Sequence, residues 1–202
     1  MIRSKSFGQD YRMTVIDRWG TAASHRRITD RIRKMKRPVC CLDIGCGYRA
    51  GLLQKLLPFL KEGVGIDVSI SDELKQIDRL KFIEKPIETA LQDLENESFD
   101  VILMCSVLEH LEDPAAILKR CYRCLAGGGL LLVNVPTWTG KIFLEFSAFR
   151  LGLSPAAEMD DHKMYYGKKD LWPLLVRAGF KPSRIHMRYH KFGLNLFAVV
   201  GK

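Results

Sequence analysis

The run Cys40-Cys41-Leu42-Asp43-Ile44-Gly45-Cys46-Gly47 constrains the fold more than any other stretch of the chain. A short apolar segment that reaches an acid and breaks at two glycines one residue apart reads as a buried parallel strand ending in a ligand-binding turn. Glycine at both positions lets the backbone turn sharply and approach a ligand with no Cβ in the way. A helix starting just beyond would aim its free N–H groups at the same place. The pocket is therefore expected at the carboxyl end of this strand. Downstream, Leu52, Leu53, Leu56, Leu57 and Leu60 recur at helical spacing with Pro58 as a kink or stop, and Val64-Gly65-Ile66-Asp67-Val68 is a second apolar strand ending in an acid. Together these make a right-handed β-α-β unit. Asp67 lies 20 residues beyond Gly47, where a carboxylate at the end of the second strand can accept two ribose hydroxyls. Its plainer alternative is a cap or turn acid.

The alternation continues. Ser71 and Asp72 cap a brief helix through Ile77, and residues 80–83 form a third strand leading into Pro86, Ile87 and Glu88. Residues 99–105 are apolar almost throughout, as in a strand covered on both faces, and lead into Ser106-Val107-Leu108-Glu109-His110. His110 thus falls at the same sheet edge as the glycines, either as a helix residue with its ring tied by a hydrogen bond or as a working group. Asp113-Pro114 starts a helix, Gly127-Gly128-Gly129 closes it, and residues 130–135 are a fifth strand. Leu171, Leu174, Leu175 and Ala178 mark a last helix, and residues 184–190 and 195–200 read as an antiparallel pair at one sheet edge. The fold class is α/β: a Rossmann-like, seven-stranded sheet, mostly parallel with a terminal antiparallel hairpin, with helices on both faces.

Two segments lie outside this pattern. Residues 1–37 form a basic N-terminal segment in which apolar and basic positions alternate over about 9–36, interrupted by Gly20, so two helices are expected there; residues 38–202 form the main domain. Residues 137–161 carry Trp138, Ile142, Phe143, Phe146 and Phe149 among basic residues, and read as a lid, an acceptor pocket, a membrane-touching helix or simple packing.

A length of 202 residues suits one soluble core. No run approaches the roughly 20 apolar residues of a membrane span, and the N-terminus lacks a signal-peptide core, so the cytoplasm is the expected compartment. Six cysteines set mostly in apolar patterns fit buried thiols rather than a disulfide framework; Cys121 and Cys124 have metal-ligand spacing without a second pair, so no metal is expected. The net charge of +9 suits an acidic partner such as nucleic acid, an anionic membrane face or a phosphorylated substrate, or is simply a basic surface. No motif reveals an oligomeric state.

Gly45-Cys46-Gly47-Tyr48-Arg49-Ala50 also satisfies the dinucleotide fingerprint. Asp43 just ahead of the glycines, suited to a cationic group, and the terminal hairpin argue against a nicotinamide ligand. The stretches CLDIGCG, VGIDVS, FDVILMCSVLEHLEDP, CYRCLAGGGLLLVNVP and YYGKKDLWPLLVRAGF, in this order over about 38–202, resemble class I S-adenosylmethionine-dependent methyltransferases of the broad small-molecule group. The resemblance implies S-adenosyl-L-methionine as cofactor. It implies that Asp43, Gly45, Cys46 and Gly47 border its methionine and ribose part, that Asp67 takes the ribose hydroxyls, that Val68, Ile87 and Glu88 line the adenine, and that Cys105 and Ser106 border the methyl donor. The family often has an acid near Pro86 that contacts the adenine amine, a contact this chain's pattern does not establish, and this chain has Arg49 where the third glycine is common.

A hydroxyl acceptor would need a base, for which His110 and His162 are the candidates, with Asp161 orienting His162. The leading reading is methyl transfer to a small-molecule or lipid-linked acceptor, such as a saccharide or secondary-metabolite hydroxyl, with peripheral membrane contact allowed. The alternatives are an RNA or protein methyltransferase, which the absence of an Asn-Pro-Pro-Tyr-type motif after the fourth strand weakens, and a catalytically silent cofactor-binding partner subunit.

Overall fold

The computed structural model describes residues 6, 7, 9, 15–142 and 162–202. Seven strands form one sheet: β1 (Val39–Ile44), β2 (Leu60–Asp67), β3 (Leu80–Glu84), β4 (Phe99–Cys105), β5 (Leu125–Pro136), β6 (Ile185–His190) and β7 (Asn195–Gly201), in the spatial order β3-β2-β1-β4-β5-β7-β6. β1 to β5 pair in parallel, and β7 runs antiparallel to both β5 and β6. The terminal hairpin thus closes one edge. The strand order reverses between β1 and β4, and a crevice forms outside the carboxyl ends of strands at such a switch point.

Each central strand is buried on both faces because its side chains alternate into two cores. Ile102 and Met104 of β4 enter one core with Leu42, Ile44 and Ile66 and with residues of α4 (Pro114–Cys124) and α5 (Lys168–Ala178). Val101 and Leu103 enter the other with Val39, Cys41 and residues of α1 (Val15–Arg33) and α2 (Gly51–Leu56). This two-sided cover explains the near-continuous apolar runs. A short helix, α3 (Ile87–Ala90), follows β3.

Three sequence expectations change. α1 is one helix that runs through Gly20. A mid-helix glycine costs only about 1 kcal/mol, and the buried row Ser24, Ile28 and Ile32 anchors the helix across it. α2 is shorter than its leucine spacing suggests: a 3-10 turn, Leu57–Phe59, takes over at Pro58, and Leu60 already belongs to β2. β5 begins at Leu125, not at residue 130, because the glycines form a register break within the strand, between Phe99↔Leu125 and Val101↔Leu130, with Gly128 at φ 78°.

Candidate functional site

At the carboxyl edge, β1 runs into Gly45 and Gly47 at φ 69° and 76°, a region costly for residues with a Cβ. The Gly45 and Cys46 N–H groups donate to the Ile66 carbonyl at 2.8 and 3.1 Å, stitching the turn to β2. A Cβ on Gly45 would stand 2.4 Å from Val107 Cγ2, so glycine is required there for packing as well as for dihedral reasons. Gly47 N–H donates to Asp67 Oδ2 and Val68 N–H to Asp67 Oδ1, both at 2.8 Å. The Asp67 carboxylate is therefore fixed against the glycine turn.

Asp43 is 2% exposed, and no hydrogen bond to its carboxylate forms among the described residues. Burial, and then the nearby Asp67 charge, push its pKa up to about 8. A buried carboxylate of this kind suits a cationic ligand group, which would replace the solvation it has lost. Cys46 and Cys105 are raised above the ordinary thiol range, first by burial and then by the charge of Asp43. Ser106 lies just past β4 at φ 55° and donates its N–H to the Asn134 carbonyl at 2.8 Å, so its backbone is held in an uncommon conformation at the crevice. Val68 follows β2 directly, and Ile87 and the exposed Glu88 open α3.

Ser6 was not singled out from the sequence. Its hydroxyl is hydrogen-bonded to Asp67 Oδ1, lies 2.6 Å from the Ser69 carbonyl, and accepts the Ser69 N–H at 2.8 Å. The Phe7 carbonyl accepts the Tyr48 N–H at 3.0 Å. A hydroxyl of the chain's own N-terminal segment thus occupies the acid at the end of β2. No periodicity or spacing marks such a contact across 61 positions.

The two histidines come together on this edge. His110 ends a 3-10 turn, Leu108–His110, just after β4. His162 arrives from far along the chain: Lys163 N–H donates to the Glu109 carbonyl at 2.8 Å, and Tyr166 donates its hydroxyl to the Leu108 carbonyl at 3.2 Å and its N–H to the Pro136 carbonyl at 3.0 Å. The two rings lie 4.7 Å apart, centroid to centroid. His162 Nδ1 is 3.0 Å from the hydroxyl of Tyr165, which is 4% exposed. Asp161, the orienting partner expected for His162, lies outside the described residues, as does the 137–161 segment from residue 143 on. Tyr165 occupies His162 Nδ1, a role the bare cluster of acids and aromatics did not reveal. Glu109, His110 and His162 each offer one atom within 4.8 Å of the others, a set able to share a divalent cation; it is the only such group of three or more among the described residues. Cys121 and Cys124 are buried on α4 and belong to no such group.

The crevice fits S-adenosylmethionine on its own terms. It has a glycine turn where a Cβ would clash, a buried carboxylate without a hydrogen-bond donor among the described residues, and an acid fixed at the end of the second strand. A sequence profile for the family described as "Methyltransferase domain" matches residues 18–184. Ubiquinone biosynthesis O-methyltransferases are 33% identical over 110 residues in Xanthomonas oryzae pv. oryzae and 35% over 112 residues in Xylella fastidiosa. These matches cover 50% and 51% of this chain, and 45% and 44% of the relatives, so the likeness spans about half the length of each. A methyltransferase described as SAM-dependent from Archaeoglobus fulgidus superposes with a TM-score of 0.64 at 15% identity, covering 88% of this chain and 94% of its own. The 1,6-didemethyltoxoflavin-N1-methyltransferase of Burkholderia thailandensis, solved with S-adenosylhomocysteine, superposes with a TM-score of 0.67 at 18% identity, covering 92% and 81%. The sheet order, the glycine turn and the profile match agree: the chain belongs to the methyltransferase domain family, of the class I S-adenosylmethionine-dependent type.

Proposed function

We propose that this protein methylates a hydroxyl group of a small-molecule or lipid-linked acceptor. The carrying observation is the His110–His162 pair, 4.7 Å apart at the same sheet edge as the glycine turn. The O-methyltransferase names of the relatives support the same reading.

In this reading Asp43 faces the cationic end of the donor, Gly45, Cys46 and Gly47 border its methionine and ribose part, and Asp67 accepts the ribose hydroxyls. Val68, Ile87 and Glu88 line the adenine side, and Cys105 and Ser106 border the methyl. The sulfonium supplies an activated methyl group with its own leaving group. What remains for the protein is to align the acceptor, exclude water and remove the hydroxyl proton. His162 can act as the base through Nε2 only if Nδ1 holds the ring proton and donates it to the Tyr165 oxygen. Tyr165 would then select the working tautomer, as a hydrogen bond to one ring nitrogen does generally. His110 is the neighbouring candidate.

Calorimetry with S-adenosylhomocysteine on the wild type and Asp67→Ala tests the donor site. Binding by the wild type, weakened at least tenfold in the variant, is expected; tight NAD binding with no response to S-adenosylhomocysteine overturns the assignment. For the acceptor side, full turnover by both His110→Ala and His162→Ala would remove the histidines as bases.

A further inference from the structure

A groove of about 710 Å³ runs between α1 and the turn joining β6 to β7. That turn stands at the carboxyl edge of the sheet, because Asn195 at the start of β7 pairs with Pro136 at the end of β5. It is clamped there: the Thr137 hydroxyl donates to the Gly193 carbonyl at 2.6 Å, and Thr137 N–H donates to the Leu194 carbonyl at 3.0 Å. The groove therefore opens beside the crevice and not on a remote surface.

Its two walls differ in chemistry. Trp19 and Phe192 form an aromatic wall, their rings near-parallel with centroids 6.4 Å apart, and Phe192 is 92% exposed. Trp19, Ala23, Arg26 and Arg27 line it from a single face of α1, since positions separated by four, seven and eight residues share one side of a helix. The small alanine leaves the floor open, and the two arginines add guanidinium groups to the lining. Lys191 enters from the opposite side. Its ammonium lies 3.5 Å from where a Cβ on residue 20 would stand, an ordinary van der Waals distance, so it packs against α1 at Gly20. Lys191 has no carboxylate partner among the described residues. Asp30, the acid in the groove, lies 3.8 Å from Arg33. Burial, opposed in part by Cys105, lowers the Lys191 pKa to about 8, as expected for an ammonium that lacks its counter-ion. Lys191 stands in the clamped β6–β7 turn, at the carboxyl edge of the sheet where the methyl donor is proposed to sit.

We propose that this groove is the seat of an acidic acceptor: a small molecule whose apolar or aromatic body lies on Trp19 and Phe192 and whose carboxylate, phosphate or sulfonate group pairs with Lys191 and Arg27. The proposal rests on the methyltransferase reading for its role and on the groove alone for the binding. An anion here would restore the charge balance that burial denies Lys191, and the guanidinium groups add planar donors suited to an oxyanion. Acceptor choice would then be set by charge as well as by shape.

The test is calorimetry with 2-naphthoate and its neutral isostere 2-naphthamide, with and without S-adenosylhomocysteine. The wild type is expected to prefer 2-naphthoate at least tenfold at pH 7. Lys191→Met should bring the two probes within threefold of each other, Lys191→Arg should keep most of the preference, and Trp19→Ala should weaken both probes alike. The preference should decline above about pH 8 as Lys191 loses its proton. Among the other groups facing it, His25 and His190 are lowered to about 4 and stay neutral throughout, and Arg26, Arg27 and Asp30 line the same groove. Equal affinity for the two probes in the wild type, or an undiminished preference in a folded Lys191→Met variant, overturns the proposal. So does binding to phosphatidylglycerol vesicles without probe discrimination, which assigns the patch to a membrane surface. Failure to bind S-adenosylhomocysteine with the naphthoate preference intact counts against the donor-site reading and leaves the groove standing.

Discussion

Replacing Asp43 by asparagine should make the protein more stable and a poorer binder of the donor. The carboxyl has an ordinary value of 3.8 and is raised to about 8 in the fold, mainly by burial and secondarily by Asp67. A folded-state pKa above the unfolded one gives a stability contribution that is complete below about 3.8 and lost as pH rises through about 8. At 1.36 kcal/mol per tenfold, the whole interval corresponds to roughly 6 kcal/mol, an upper limit because local relaxation and water access reduce the cost of a buried charge. Asparagine keeps the shape and never ionises. A gain of about 2 kcal/mol at pH 8.5 would raise Tm by roughly 4–8 °C in a chain of this size. Thermal melts followed by circular dichroism at pH 5, 7 and 8.5 should show a difference between variant and wild type that widens with pH. Calorimetry at pH 8.5 should show weaker S-adenosylhomocysteine binding by the variant. A Tm difference that stays flat or reverses between pH 5 and pH 8.5 refutes the claim that Asp43 carries an uncompensated charge.

Gly45→Ala places a Cβ 2.4 Å from Val107 Cγ2 at a φ of 69°; strain and overpacking together should cost about 2–4 kcal/mol in urea denaturation, and a loss under 1 kcal/mol would show that the turn can relax. Ser6→Ala frees Asp67 from the chain's own hydroxyl, and at about 1 kcal/mol per hydrogen bond it should tighten S-adenosylhomocysteine binding roughly fivefold. Weaker binding would mean instead that Ser6 closes over the ligand.

The parts of the site that lie next to each other along the chain were legible as pattern. Asp43, Gly45 and Gly47 sit within one strand and turn, and Asp67 ends the following strand of the same β-α-β unit, so spacing alone placed them together. Gly20 and the 127–129 glycines misled because propensity is weak against packing: a buried row of side chains carries α1 through the first, and the second is a register break held within β5 by pairing with β4 at Leu125 and again from Leu130 on. Tyr165 was visible only as one member of an aromatic cluster, since its role depends on how the chain turns after His162.

The sequence by itself determined the layers, the parallel sheet with its closing hairpin, and the location of the ligand turn, because alternation, chain reversals and glycine dihedrals are local properties with a short range along the chain. Only the tertiary structure decided what stands on that turn and beside it. It brought His162 against His110, set Ser6 on Asp67, and reached Lys191 over Gly20 into the groove beside Trp19 and Arg27. Each of these contacts joins residues far apart in the chain through a folded sheet edge, where no periodicity records the pairing.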